Sequence, residues 1–316
     1  MKILANDGIG ANGKELLEQK GFEVITTKVA QEQLSNFISD KNIEVLLVRS
    51  ATKVGKEVLD TSPTLKLIGR GGVGMDNIAV QHAKNIGIPV INTPTASSAA
   101  VAELVIGHLL TGIRFLHDSN RNMPLEGDQK FGQLKKSYSG ASELRGKTLG
   151  IIGFGQIGQA VAQIALGMGM KVVFHDHHEE SKTITLPFFD GQTARFTIKG
   201  STMDEVLKAS HFITLHVPSQ KDYIIGAKEI AKMKTGVGII NASRGGTLDE
   251  AALIQALDNG KVAFAGLDVF ESEPTPEIRI LMHPKISLSP HIGGSTLEAQ
   301  NRISLELAEQ IINYFQ

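Results

Sequence analysis

Cysteine is absent from this chain, which removes disulfides, thiolate metal sites and cysteine nucleophiles together. Any chemistry has to come from other side chains or from a bound cofactor. A run of about 18 apolar residues is also lacking. The start, Met1-Lys2-Ile3-Leu4-Ala5, turns polar at Asn6-Asp7, far short of a signal-peptide apolar core. The expectation is a cytoplasmic protein with no membrane partner. Nor is there a surplus of either charge. With 32 Lys and Arg against 33 Asp and Glu the formal net charge is -1, so no bulk field exists to hold nucleic acid. No internal repeat, low-complexity tract or long linker interrupts the chain.

What the sequence does contain is alternation. Its 316 residues, 41% of them hydrophobic, can furnish cores for two domains of about 100 to 200 residues each. Lys2–Ala5, Val45–Val48, Leu65–Gly69 and Pro89–Asn92 read as strands, with helical patterns at Lys14–Gln19 and Lys56–Leu59 between them. Thr148–Ile152, Lys171–His175, Phe212–His216, Val237–Asn241, Ala263–Asp268 and Lys285–Leu288 repeat the logic as nearly continuous apolar runs. Such alternation implies parallel, doubly wound α/β sheets whose strands are covered on both faces. Between the halves, a helix starting at Ala96-Ser97-Ser98 is apolar on almost every face through Leu110. It is expected to be buried all round, partly by a second copy of the chain, making a homodimer. Leu297–Phe315 is amphipathic and reads as a helix returning to the first half. The segment Glu179–Ala194 is irregular, and its Asp190-Gly191 is a hairpin signal.

Gly153-Phe154-Gly155-Gln156-Ile157-Gly158 follows one of these strands and opens the helical run Ala160–Gly167. In a G-x-G-x-x-G turn, Gly153 would make the tight turn and Gly155 would let a pyrophosphate approach the backbone. Gly158 would let helix and strand pack closely, at a helix N-terminus that attracts anions. Asp176 closes the next strand, where a carboxylate accepts hydrogen bonds from the ribose diol of NAD and repels the 2′-phosphate of NADP. His175, His177 and His178 beside it read as solvated loop histidines, since three neighbours in one loop do not readily close a tetrahedral metal shell. No metal is expected.

Three further segments lie where strands end: Asn241-Ala242-Ser243-Arg244-Gly245-Gly246, Asp268-Val269-Phe270-Glu271-Ser272-Glu273-Pro274 and Ser289-Pro290-His291-Ile292-Gly293-Gly294. Hydride transfer from a secondary alcohol needs a base for the hydroxyl proton and an anchor for the substrate carboxylate. His291 and Arg244 suit those roles. Glu273 would fix the imidazole tautomer and favour its protonated state.

With those residues in view the chain resembles the D-2-hydroxyacid dehydrogenase family over nearly its whole length. The likeness also runs through Val48–Val54 (Val-Arg-Ser-Ala-Thr-Lys-Val) and Gly69–Asn77 (Gly-Arg-Gly-Gly-Val-Gly-Met-Asp-Asn). It implies a split flavodoxin-like substrate domain, residues 1–97 and 289–316, around a Rossmann NAD-binding domain, 98–288. It also implies that Arg244, Glu273 and His291 form the catalytic set. Gly153, Gly155, Gln156, Ile157, Gly158, Asp176, Val217, Ala242, Asp268, Gly293 and Gly294 would contact NAD. Arg49, Ser50, Gly72 and Val73 would meet a small-molecule substrate.

Within the family the likeness points to members that oxidise D-3-phosphoglycerate to 3-phosphohydroxypyruvate, the first step of phosphorylated serine biosynthesis. There Arg49 would read the phosphate, and Lys135-Lys136, in a loop, could add charge. The alternative in the same family is a reductase of glyoxylate, hydroxypyruvate or another 2-keto acid. An alternative of another class is an NAD-sensing, corepressor-like binding protein. Longer family members carry regulatory C-terminal domains. Without one, feedback by serine through such a domain is not expected.

Overall fold

The computed structural model describes the whole chain, Met1–Gln316, which divides into two compact units, Met1–Ser98 with Gly294–Gln316, and Ala99–Gly293. Unit one holds five parallel strands: β1 (Lys2–Ala5), β2 (Glu23–Ile25), β3 (Val45–Val48), β4 (Leu67–Arg70) and β5 (Val90–Asn92). Their spatial order is β2-β1-β3-β4-β5. Alternate residues serve opposite faces. Leu4, Leu46 and Val48 pack with Leu34 and Ile38, while Ile3, Val45 and Leu47 pack with Leu17, Ala308 and Ile311. Burial on both faces is why these strands read as unbroken apolar runs. Each such side chain withdrawn from water contributes about 1.5–3 kcal/mol.

Ala308 and Ile311 belong to the helix Leu297–Phe315, which Thr296 caps by accepting a hydrogen bond from Ala299 N. This helix lies so close to helix Ala11–Gln19 that a Cβ on Gly13 would collide with the Ser304 carbonyl.

Unit two holds six parallel strands, β6 (Thr148–Ile152), β7 (Lys171–His175), β10 (Phe212–Leu215), β11 (Val237–Asn241), β12 (Val262–Leu267) and β13 (Ile286–Leu288), ordered β13-β12-β11-β10-β6-β7. A hairpin of β8 (Ser181–Pro187) and β9 (Thr193–Lys199) stands apart from that sheet. One sheet face buries Ile213, Ile239 and Val262 with Leu253 and Leu257. The other buries Leu149, Ile151 and Phe264 with Val105 and Leu109 of the helix Ser98–Ile113. No single helix is long and apolar enough to cross a membrane.

Several elements depart from the sequence reading. Strand β2, only three residues long, is too short to leave a pattern. The residues read as a loop around Lys135-Lys136 belong to a helix, Leu116–Ser137. That helix has no fully buried residue, so it has no apolar stripe to announce it. Its two lysines are exposed in the last turn, where cations complement the helix dipole.

The hairpin runs five residues beyond Ala194. Its turn is closed by Phe188 N donating to Gln192 O (2.8 Å), and Ile184 and Leu186 are buried against the nucleotide-loop helix. Within one chain, helix Ser98–Ile113 leaves Ala99, Glu103 and Gly107 as an exposed stripe at four-residue spacing, the face that the sequence reading assigned to a second copy. Finally, the compact first unit resumes at Gly294 rather than 289. Ile292 N and Gly293 N donate to the Asp268 carboxylate and so remain with unit two.

Candidate active site

The six parallel strands of unit two all finish at one edge, and their order reverses between β6 and β10. Ligands bind at such a switch point, outside the carboxyl ends of the strands. There Gly153 has φ +88°, and a Cβ on it would strike the His216 carbonyl, so only glycine fits. A Cβ on Gly158 would strike the Gly153 carbonyl. Around Gly155 the space is open. It is the N-cap of helix Gln156–Gly167, and no side chain caps its first amides. An open glycine at the positive end of a 12-residue helix fits a diphosphate. Gln156 is exposed, while Ile157 and Val217 are partly buried.

Asp176 directly follows the neighbouring strand β7 and is tied to this loop. It accepts from Phe154 N (2.6 Å), His178 N (2.8 Å) and Glu179 N (3.3 Å). Burial pushes its carboxyl up, but those three amides outweigh burial and hold it below the usual carboxylate range. His175 Nδ1 meets the Ser201 carbonyl at 2.9 Å, and His177 and His178 are exposed.

Arg244 follows β11 on a loop folded around buried Asn241. The Asn241 amide donates to Arg244 O (2.9 Å) and accepts from Ser243 N (3.1 Å) and Ser243 Oγ (2.8 Å). Thr247 Oγ1 donates to Arg244 O as well (2.6 Å). Gly245 abuts the Phe270 carbonyl, leaving no room for a Cβ, so this loop and the one after β12 are locked together. A reciprocal pair strengthens the lock, with Glu250 N donating to Glu271 and Glu271 N to Glu250, each at 2.9 Å. Ala242 is partly buried between these supports.

Glu273 and His291 meet directly, Oε2 to Nδ1 at 2.8 Å, and both remain partly exposed (36% and 46%), so reagents can reach them. Glu273 Oε1 accepts from Phe270 N (3.0 Å), which aims the carboxylate. His291 has φ +54°, a left-handed conformation that costs a non-glycine residue about 1–3 kcal/mol. It is held there by its own N–H donating to Asp268 O at 2.8 Å. Asp268, 1% exposed, also takes Ile292 N (2.9 Å) and Gly293 N (2.8 Å) on its side chain.

The structure thus brings Gly153–Gly158, Asp176, Val217, Ala242, Arg244, Asp268, Glu273, His291 and Gly293 to one edge of one sheet. Gly294 falls in unit one. The supports Asn241, Ser243, Thr247, Glu250 and Glu271 were not singled out from the sequence. Polar residues around a strand end are common, and only the folded loop reveals which of them bond to one another.

In unit one, Arg49 directly follows β3. Its N–H donates to Asp7 Oδ2 (2.7 Å) and its carbonyl accepts from Asn77 Nδ2 (2.7 Å). Arg49 lines a cavity of about 280 Å³ with Asp7, Gly8, Gly71, Gln300 and Ser304. Gly72 is buried at φ +135°, its N–H on Thr93 Oγ1 (2.8 Å), and Ser50 and Val73 are exposed.

Residues 106–293 match the model of the D-isomer specific 2-hydroxyacid dehydrogenase NAD-binding domain. The chain is 42% identical over 316 residues to a hydroxypyruvate reductase of Thermotoga maritima, covering 98% of this chain and 97% of that one. It is 38% identical to a D-3-phosphoglycerate dehydrogenase of Methanocaldococcus jannaschii, covering 98% of this chain but 57% of that longer protein. A solved glyoxylate reductase from Paecilomyes thermophila superposes with a TM-score of 0.80 at 30% identity, covering 98% of this chain and 93% of that one. The glycine loop, the Glu273–His291 pair and these likenesses agree. The chain is a member of the D-2-hydroxyacid dehydrogenase family, an oxidoreductase that binds a nicotinamide dinucleotide.

Proposed function

We propose that the chain oxidises D-3-phosphoglycerate to 3-phosphohydroxypyruvate with NAD. The observation that carries the substrate is Arg49. It stands at a strand's carboxyl end beside a cavity, with its backbone pinned by Asp7 and Asn77. A guanidinium carried on a backbone fixed in this way suits a phosphate, which it can grip through paired, charge-assisted hydrogen bonds. NAD, when bound, supplies the hydride acceptor. His291 takes the hydroxyl proton on oxidation and returns it on reduction; Glu273 engages Nδ1, which leaves Nε2 for the substrate. Arg244 anchors the substrate carboxylate and polarises the adjacent C2 oxygen. A second reading, reduction of hydroxypyruvate itself, is favoured by the Thermotoga relative that matches over nearly its full length. Hydroxypyruvate differs from 3-phosphohydroxypyruvate, the product of the first reading, only by the phosphate. Comparing kcat/KM for each, in its own direction, tests the proposal.

Asp176 carries the cofactor preference. NAD is expected to exceed NADP by at least about tenfold in kcat/KM, because the carboxylate accepts from a ribose diol and repels a 2′-phosphate. Asp176→Ala narrows the gap by losing NAD affinity more than NADP affinity. Equal efficiency of the wild type with both cofactors contradicts the assignment.

The helix Ser98–Ile113 keeps an exposed stripe, and the helix after it exposes Leu125 (77%) and Phe131 (60%). A stripe of mostly small residues beside exposed Leu125 and Phe131 fits a two-fold interface with a second chain. Light scattering at micromolar concentration is expected to give the mass of two chains, and a one-chain mass contradicts the dimer.

A further inference from the structure

We propose that His108, on the helix Ser98–Ile113, is a positioning residue for His291, acting through Ser289 and Asp268. The inference rests on the dehydrogenase reading. His108 is 5% exposed, in an otherwise apolar helix face. Room is made for it at Gly266 of β12, where a Cβ would come within 2.6 Å of the His108 Cβ. Its ring spans two hydroxyls of the neighbouring strand end, Nδ1 to Ser287 Oγ at 2.9 Å and Nε2 to Ser289 Oγ at 3.0 Å. Ser289 Oγ in turn donates to Asp268 Oδ1 at 2.5 Å. A hydroxyl has one proton, so with that proton on Asp268 the Ser289 oxygen accepts from His108 Nε2–H. Burial pushes the imidazole below its ordinary value, outweighing the upward pull of the Asp268 charge. Burial thus favours the neutral ring, in which Nδ1 accepts from Ser287 Oγ.

The chain of bonds ends on the loop that carries the chemistry. Asp268 Oδ1, which receives the Ser289 proton, also receives Ile292 N, and Oδ2 receives Gly293 N. His291 N donates to the carbonyl of the same residue. Asp268 thus holds three successive amides, and with them the left-handed turn at His291. The Ser289 hydroxyl fixes where that carboxylate lies, and His108 fixes the hydroxyl. Ser287 touches the imidazole but not Asp268, so it makes an internal control.

The experiment measures the single-turnover rate of NADH oxidation with hydroxypyruvate, the substrate KM and the NADH Kd in four variants. His108→Leu removes both ring contacts, and His108→Gln keeps one donor and one acceptor. Ser289→Ala cuts the path, and Ser287→Ala spares it. His108→Leu and Ser289→Ala are each expected to slow hydride transfer by about tenfold, because small misplacements of a reacting group are costly. KM and NADH Kd stay within about twofold, the split expected when ground-state binding is intact. His108→Gln restores most of the rate and Ser287→Ala loses little. A wild-type rate in His108→Leu, or a loss confined to NADH affinity, overturns the positioning role. If His108→Leu does not fold, Ser289→Ala against Ser287→Ala decides, and equal behaviour of the two overturns it. An active wild type with unaltered variants refutes the relay alone, whereas a wild type inert toward every 2-hydroxy and 2-keto acid refutes the dehydrogenase reading and the relay with it.

Discussion

Replacing His291 by alanine is expected to lower kcat by about 10² to 10⁴, the usual worth of a positioned acid–base group, with NAD affinity little changed. The geometry argues for the upper part of that range. The imidazole is oriented by Glu273 at 2.8 Å, and its backbone is kept in a left-handed conformation by Asp268. A residue held against its conformational preference indicates that the surroundings over-determine its position. Removing the ring leaves the glycine loop, Asp176 and the Asp268 tethers in place, so cofactor binding should survive. Steady-state rates and a fluorescence titration with NADH measure the two quantities separately. Parallel loss of kcat and NADH affinity contradicts a role confined to proton transfer.

Arg49→Ala is expected to reduce kcat/KM for D-3-phosphoglycerate by about 30-fold or more, since truncating one partner of a desolvated charge pair costs about 2 to 5 kcal/mol. Hydroxypyruvate and glyoxylate, which carry no phosphate, should be affected far less. Lysine should recover only part of the loss, because a point charge does not reproduce the planar fork. The backbone at this position is secured by Asp7 and Asn77 through main-chain groups, so shortening the side chain leaves those bonds intact. Equal slowing of phosphorylated and unphosphorylated substrates would make Arg49 structural.

Much of this arrangement was legible in the residues because burial leaves a strong pattern. β1, β3, β6 and β11 stand at their expected residues, since strands covered on both faces are largely apolar, and the edge strand β7 was found as well. The C-terminal helix Leu297–Phe315 was equally plain from its periodicity. The helix Leu116–Ser137 was missed for the converse reason. Nothing in it is fully buried, and Pro124 within it argues against a helix. At the site, motif spacing pointed to Gly153 and Asp176 and position at a strand end pointed to His291, because the proposed roles call for chemistry that few residue types can perform. Asn241, bonded to Ser243, Arg244 and Thr247, and Ser289, bonded to His108, stand out only through their hydrogen bonds in the folded chain. His108 and Ser289 lie 181 positions apart, a distance across which no local pattern operates.

The central claim is tested most directly by assaying one enzyme preparation in parallel, for NADH formation with D-3-phosphoglycerate and for NADH consumption with hydroxypyruvate and with glyoxylate. The account predicts turnover of all three through one His291-dependent site, with the highest kcat/KM for D-3-phosphoglycerate and a loss specific to it in Arg49→Ala. Hydroxypyruvate or glyoxylate turnover with none of D-3-phosphoglycerate would contradict the substrate assignment, and no turnover of any would contradict the dehydrogenase itself.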